Sequence, residues 1–225
     1  MERELLLSRR GVLEYGAGVA LQEDLRARVS AGSLSEVLLL LEHSPVYTRG
    51  RRSTPDELPL GPAWYRERGI DVVDTDRGGR VTYHGPGQLI GYPIMRIPDV
   101  LVYLRTMERA IVAALADEDV EAHTRKGHRF TGVWVQDRKI ASIGVHLSRG
   151  VSTHGFAVNV ENDLEPFGWI VPCGLPEVEM TSLERETGRG GRFEAFRERI
   201  VERFCEAYGR TPREQPLLPA EPAPA

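Results

Sequence analysis

The sequence predicts an α+β domain on a large, mostly mixed or antiparallel sheet. Three observations carry this. Strand-like and helix-like segments interleave without the strict alternation of a doubly wound fold. Three successive segments, "GVWVQ", "KIASIGVHLS" and "VSTHGFAVNV", read as a meander. Residues 100–116 and 192–208 repeat apolar side chains at helical spacing.

Element by element, "ELLLSRR" reads as a short strand. The segment 15–32 places Leu21, Leu25 and Val29 four apart, so it reads as an amphipathic helix. "SEVLLLLEH" is an unbroken apolar run of strand length, which predicts burial on both faces. "IDVVDT" is a further strand, and "RVTYHGPGQLIGYPIM" is two strand-like pieces broken at Gly85-Pro86-Gly87. The helix over 192–208 ends at Gly209 and Pro212. Residues 1–212 read as one catalytic domain, and 213–225 as a Pro/Ala-rich tail, disordered beyond about 218. In the meander, Asp137-Arg138 and Arg149-Gly150 are candidate two-residue connections. A tight turn at Arg149-Gly150 sets Ser142 opposite Ala157 and Gly144 opposite Gly155, all on one face. A face paved with such small residues suits either a closely packed helix or a slot for a slender ligand.

Composition narrows the function classes. The 225 residues are 41% hydrophobic and 28% charged, ordinary for a folded domain with a sizeable core. No apolar run approaches a membrane span, and "MERELLLSRR" is too charged for a secretory signal. Two cysteines make no disulfide framework, so a cytoplasmic enzyme is expected. The net charge of −4 gives no global pull toward nucleic acid or membrane. Of 29 basic residues, the only lysines are Lys126 and Lys139. Lysine can give up its proton and arginine cannot, so a lysine in this background is a candidate for proton chemistry, unless both are chance surface residues.

Four glycines in "RGGRVTYHGPGQ" offer close backbone approach but match neither phosphate-binding signature. The six histidines form no HExxH and the cysteines no CxxC, so no metal is expected. "IVPCGLP" places Cys173 between Pro172 and Gly174, where neither helix nor strand core is expected. A thiol on a stiff loop stays approachable, and a neighbouring cation would ionise it. Cys205, inside "ERFCEAY", reads instead as structural.

Together, "RGGRVTYHGPGQLIGYPI", "KIASIGVHLSRGVSTHGFAVNV" and "VPCGLPEVEMTSL" resemble the octanoyltransferases of lipoate biosynthesis, in order over roughly residues 36–187. The resemblance implies a fold like that of the biotin and lipoate protein ligases, related to class II synthetase cores. That fold is a large mixed β-sheet flanked by helices, with a smaller adjoining sheet. It implies transfer of an octanoyl group from octanoyl-acyl carrier protein to a lysine of lipoyl domains. Those acceptors are the E2 subunits of 2-oxoacid dehydrogenases and the H protein of glycine cleavage. It maps the acyl-carrying cysteine onto Cys173 and its partner lysine onto Lys139. Substrate contacts map onto Arg77, Gly78, Gly79, Arg80, Val81, Thr82, Tyr83 and His84; onto Ser142, Ile143 and Gly144; and onto Gly155, Phe156 and Ala157. No cofactor is implied, and a monomer is expected. An acidic carrier calls for a local basic patch, with Arg49, Arg51 and Arg52, or Arg125, Lys126 and Arg129, as candidates. Strict alternation puts Lys139 and Ser142 on opposite faces, so a bulge near Lys139 is expected. The alternatives are an ATP-dependent lipoate or biotin protein ligase, which would not need Cys173, and a non-catalytic acyl- or lipoyl-domain-binding module.

Overall fold

A computed structural model describes residues 3–172 and 177–215. Its elements are β1 (Arg3–Leu13), α1 (Tyr15–Ala31), β2 (Val37–His43), β3 (Val46–Arg49), α2 (Pro62–Arg66), β4 (Asp71–Asp74), β5 (Thr82–His84), β6 (Gln88–Ile94), α3 (Val100–Ala116), β7 (His123–Thr124), β8 (Gly132–Val135), β9 (Arg138–Ser148), β10 (Val151–Asn159), α4 (Leu183–Thr187), α5 (Phe193–Tyr208) and β11 (Arg210–Glu214). Short 3₁₀ turns lie at Pro55–Glu57, His128–Phe130 and Glu165–Trp169. Among the described residues, an eight-stranded sheet runs β11-β1-β2-β6-β10-β9-β8-β7, and a three-stranded sheet runs β4-β3-β5. The large sheet is mixed: β1 is parallel to β2 and β11, and its other pairs are antiparallel.

The apolar run of β2 explains the layering. Leu38 and Leu40 pack with the buried faces of α3 and α5, including Met107, Ile111, Phe196 and Phe204. Val37, Leu39 and Leu41 pack on the other face with Leu25 and Val29 of α1. A strand covered on both sides has no polar face, hence its unbroken leucines. The small sheet has its own core, in which Tyr47, Tyr65, Val81 and Tyr83 pack together.

Local chemistry sets the element ends. The Asp99 carboxylate accepts the N–H groups of Leu101 and Val102 at 2.8 and 3.0 Å, so α3 starts at Val100. Gly209, at φ 58°, closes α5. The polar segment after it pairs as β11 with β1, from Arg210 to Glu214. Pro212 is tolerated because β11 is an edge strand.

The meander forms with Arg149 and Gly150 at φ 50° and 77°, a turn of the tight hairpin type. The expected facing pairs Ser142–Ala157 and Gly144–Gly155 are present. The other turn is shifted by one residue: Val135 pairs with Arg138, so Gln136-Asp137 makes the connection and Gln136 takes the positive φ of 50°.

Phe156 lies over Gly91 of the neighbouring strand, in the α3/α5 core. A Cβ at Gly91 would lie 2.0 Å from Phe156 Cζ. Gly91→Ala should cost about 1–3 kcal/mol through overpacking, seen as a fall of several degrees in Tm, and adding Phe156→Leu should recover part of it. An unchanged Tm in the single variant would contradict this packing.

Candidate active site

The site grows from an irregularity in the β8–β9 pair. Val133 pairs with Ala141, but Trp134 pairs with Lys139, leaving Ile140 as an extra residue. This is the bulge expected from sequence, and it turns Lys139 to the side of the sheet on which Ser142 lies. Lys139 is 2% exposed, and it lines a cavity of about 480 Å³ together with Ser142. A side chain on Gly132, which faces Ser142 across the strands, would meet Lys139 Cε at 2.7 Å and Nζ at 3.4 Å. Gly132 also sits at φ 134°, so glycine alone suits the backbone and leaves room for the end of the Lys139 side chain. The Lys139 amine therefore lies beside the Gly132–Ser142 pair. The other edge of Lys139 is held by the chain at 179–181: Lys139 N–H donates to Glu179 O at 2.8 Å, and Thr181 N–H donates to Lys139 O at 3.0 Å.

The opposite wall is the loop from Arg77 to Arg80. Gly78 N–H donates to Val145 O at 2.9 Å, and Gly78 O lies 2.7 Å from where a Gly144 Cβ would stand. The small-residue face thus receives a loop backbone, not a helix. Arg77 is buried and its guanidinium holds this loop. It donates to Thr48 Oγ1, to Thr48 O at 2.6 Å, to Arg80 O at 2.8 Å and to Gly78 O at 3.1 Å. Buried Glu57 braces the same loop from outside, accepting Arg80 Nη1 at 2.5 Å and Val81 N–H at 3.2 Å.

The structure brings most of the sequence-predicted residues to one cavity. Arg77, Gly78, Gly79, Arg80, Thr82, His84, Lys139, Ser142, Ile143, Gly144, Gly155, Phe156 and Ala157 all line it. Val81 and Tyr83 do not, because strand alternation turns them into the core of the small sheet. Cys173 lies outside the described residues. The preceding segment is anchored by Val171 N–H donating to Glu57 O at 3.0 Å, and Glu179, six positions after Cys173, bonds Lys139. Cys205 is buried in α5, and burial pushes its thiol up to about 11, as a structural role requires.

Sequence reasoning missed Tyr15, Tyr92, Val100, Leu104, Thr131, Val145 and His154, which also line the cavity. They come from six separate segments, and a periodic pattern cannot show which of its members meet across a fold. Arg52 and Arg129 line the cavity and are exposed at its mouth. Of the other basic candidates, Arg49 pairs with Asp74, and Arg125 pairs with Asp137 and stacks on Trp134.

A cluster of buried rings closes the inner end. His43 Nδ1 donates to Leu13 O at 3.0 Å and its Nε2 accepts from Tyr92 Oη at 2.7 Å, so His43 is neutral. Burial lowers its pKa to about 4. His84 Nδ1 donates to Gln88 Oε1 at 2.7 Å, because Gln88 Nε2 donates to Asn159 Oδ1 and Tyr83 O. Burial, then the neighbouring His43 and Arg77, holds His84 well below its ordinary value. His154 donates from Nε2 to Asp76 Oδ1 at 2.8 Å. Burial lowers His154 despite that carboxylate; burial alone would raise Asp76, but His154 and His146 hold it low. The pair is a neutral imidazole on a carboxylate. Among the described residues, no three His, Cys, Asp or Glu side chains are grouped to hold a metal ion. No helix among them is long and apolar enough to cross a membrane.

A family model, the lipoyl protein ligase A/B catalytic domain, matches residues 14–205. The octanoyltransferase of Mycobacterium ulcerans is 44% identical over 210 residues, covering 88% of this chain and 85% of that one. The chain belongs to the octanoyltransferase family. A Myxococcus xanthus octanoyltransferase is 42% identical over 89% of this chain, which spans 58% of that longer relative. A putative lipoate protein ligase of T. acidophilum, solved with bound lipoic acid, superposes with a TM-score of 0.75 at 18% identity, covering 97% of this chain and 90% of that one. The fold expected from the family's sequence motifs, a large mixed sheet with a small one beside it, is the fold observed.

The buried histidines make stability pH-dependent. An unfolded histidine titrates near 6.5, whereas folded His43 stays neutral down to about pH 4. Stability should be level above about pH 6.5 and fall as pH drops toward 4, His43 alone contributing on the order of 3 kcal/mol. Urea midpoints from pH 7.5 to 4.5 would read this, and His43→Gln should flatten part of the slope. Equal acid slopes in wild type and variant would overturn the assignment.

Proposed function

We propose that this chain moves an octanoyl group from octanoyl-acyl carrier protein to a lysine of lipoyl domains, through a thioester on Cys173. The acceptors are the E2 subunits of 2-oxoacid dehydrogenases and the glycine cleavage H protein. Residues 1–212 act as one catalytic unit, as a monomer in the cytoplasm. The observation that carries the reading is Lys139: a buried lysine, turned by a bulge into the cavity, in a chain of this family.

The Cys173 thiolate attacks the carrier's thioester carbonyl. A carbon–sulfur bond to Cys173 forms, the one to the carrier arm breaks, and the departing thiolate takes a proton from Lys139. One thioester replaces another, so no ATP is needed. The acceptor amine then attacks, Lys139 takes its proton, the carbon–nitrogen bond forms and the Cys173 thiolate leaves. Ser142 Oγ is buried, has no partner among the described residues, and belongs to the strand pair beside Lys139. It suits a hydrogen bond to the carbonyl oxygen as charge develops there.

The cavity accounts for the chain. The walls at Val100, Leu104, Ile143, Val145 and Phe156 are apolar. Burial contributes about 0.8 kcal/mol per CH₂, so a seven-carbon tail gains roughly 4–5 kcal/mol before ordering losses. From the Ser142–Ala157 pair to the Val145–His154 pair is three residues of strand, about 10 Å. An extended eight-carbon chain, with bonds near 1.5 Å, spans roughly 9 Å.

Incubated with octanoyl carrier protein, the enzyme should gain the mass of one octanoyl group, removable by hydroxylamine. Cys173→Ser should gain none, and Lys139→Ala should transfer at least about a hundredfold more slowly, the scale of a lost acid–base group. A thioester adduct on Cys205 in Cys173→Ser would refute the assignment. Transfer from free octanoate and ATP without carrier would point instead to an adenylating ligase. At the mouth, charge reversal at Arg52 and Arg129 should raise the apparent KM for carrier-bound substrate at low salt, with the difference shrinking as salt rises. An unchanged KM and salt slope would remove these arginines from carrier docking.

A further inference from the structure

Beyond the inner end of the acyl cavity lies a second one, of about 370 Å³, between the start of α1, β4 and β10. Tyr15 and His154 line both cavities, so these two side chains are the wall between them. The wall is braced. Tyr15 Oη donates to Thr75 Oγ1 at 3.1 Å, and the Tyr15 ring stacks on His84 at 6.3 Å. His154 is fixed from both ends, by Asp76 at Nε2 and by its own N–H, which donates to Gln22 Oε1 at 2.6 Å. Its φ of 56° is one a non-glycine residue holds only when its surroundings demand it.

The two chambers differ in chemistry. Among the described residues, Gln22 Nε2, Thr153 Oγ1 and His154 Nδ1 are buried without a hydrogen-bond partner, and all three residues line the second chamber. Because His154 carries its proton on Nε2, its Nδ1 is a bare acceptor. Asp74, Asp76 and Glu23 add carboxylates to the same walls. The polar groups of these walls hold water in a chamber of this size. An alkyl tail entering it would strip that water, which penalises each added carbon.

We propose that Tyr15 and His154 set acyl-chain length: they end the slot, and the polar chamber behind them rejects tails longer than eight carbons. The inference rests on the reading of the first cavity as the acyl site with the carbonyl at the Lys139 end. A ten-carbon chain is longer by two carbons, roughly 2.5 Å at bonds near 1.5 Å, and meets the wall. Selection here is by a wet stop, not by a tight apolar end.

The test uses the full chain and free octanoic, decanoic and dodecanoic acids in calorimetric binding, alongside transfer from the matching carrier thioesters. In wild type, affinity should stop rising at eight carbons. Tyr15→Ala opens the wall and Thr153→Val removes one orphaned hydroxyl at constant shape. Each should raise the decanoic-to-octanoic affinity ratio, by about tenfold per relieved group. Should Tyr15→Ala fail to fold, Thr153→Val carries the comparison. A ratio identical in wild type and folded variants, or a wild-type affinity rising steadily to twelve carbons, overturns the proposal. If wild type shows the break in binding but transfers no octanoyl group, the reaction reading fails and this one stands. If it transfers octanoyl and decanoyl groups equally well, the reverse holds.

Discussion

One extra residue in a strand governs the site. Without Ile140 out of register, Lys139 would face away from Ser142 and the cavity would have no amine. The bulge brings requirements with it. Gly132 must lack a side chain, because Lys139 Cε occupies the space a Cβ would need. The backbone edge exposed at the bulge must be paired, and the chain at Glu179–Thr181 pairs it. That pairing ties the segment at Glu179–Thr181 to the lysine's own backbone.

The remaining walls are rigid for a different reason: polar groups are spent on one another. Arg77 gives its donors to loop carbonyls and Thr48, and Thr48 lies 3.4 Å from His84 Nε2. His84 in turn engages Gln88, Gln88 engages Asn159, and Asn159 donates to Thr181 O at 2.9 Å. This chain of bonds crosses from the glycine-rich loop to the strand segment that holds Lys139. The imidazole in it, His84, stays neutral because burial makes charging it costly.

What could be read in the sequence was what local chemistry decides. The helix at Val100–Ala116 follows from apolar spacing and the Asp99 cap, and the pairing of Gly144 with Gly155 follows from one two-residue turn. The need for a bulge was legible too, as a conflict between alternation and the Lys139–Ser142 relation. The outward turn of Val81 and Tyr83 was not foreseen, although alternation contains it; the family motif marks the whole run without saying which members face the ligand. Tyr15 and His154 were invisible because one opens a helix and the other lies within a strand, and only the fold brings both to one cavity. The edge strand at Arg210–Glu214 was hidden by its proline and charges, which suit an edge and mimic a tail.

The cavity is bounded by two backbone irregularities on one hairpin. Between them, β9 and β10 pair residue for residue from Ala141–Val158 to Gly144–Gly155. At one end the bulge swings Lys139 inward; at the other, His154 takes a left-handed conformation, its N–H leaves the ladder for Gln22, and its ring becomes a wall. A regular hairpin has a uniform face and therefore no preferred length of ligand. One distortion at each end makes the same hairpin a bounded interval, with the Lys139 side chain at the start and the His154 ring at the finish. The distance between them is set by the number of strand residues, a quantity that side-chain substitutions along the slot cannot change.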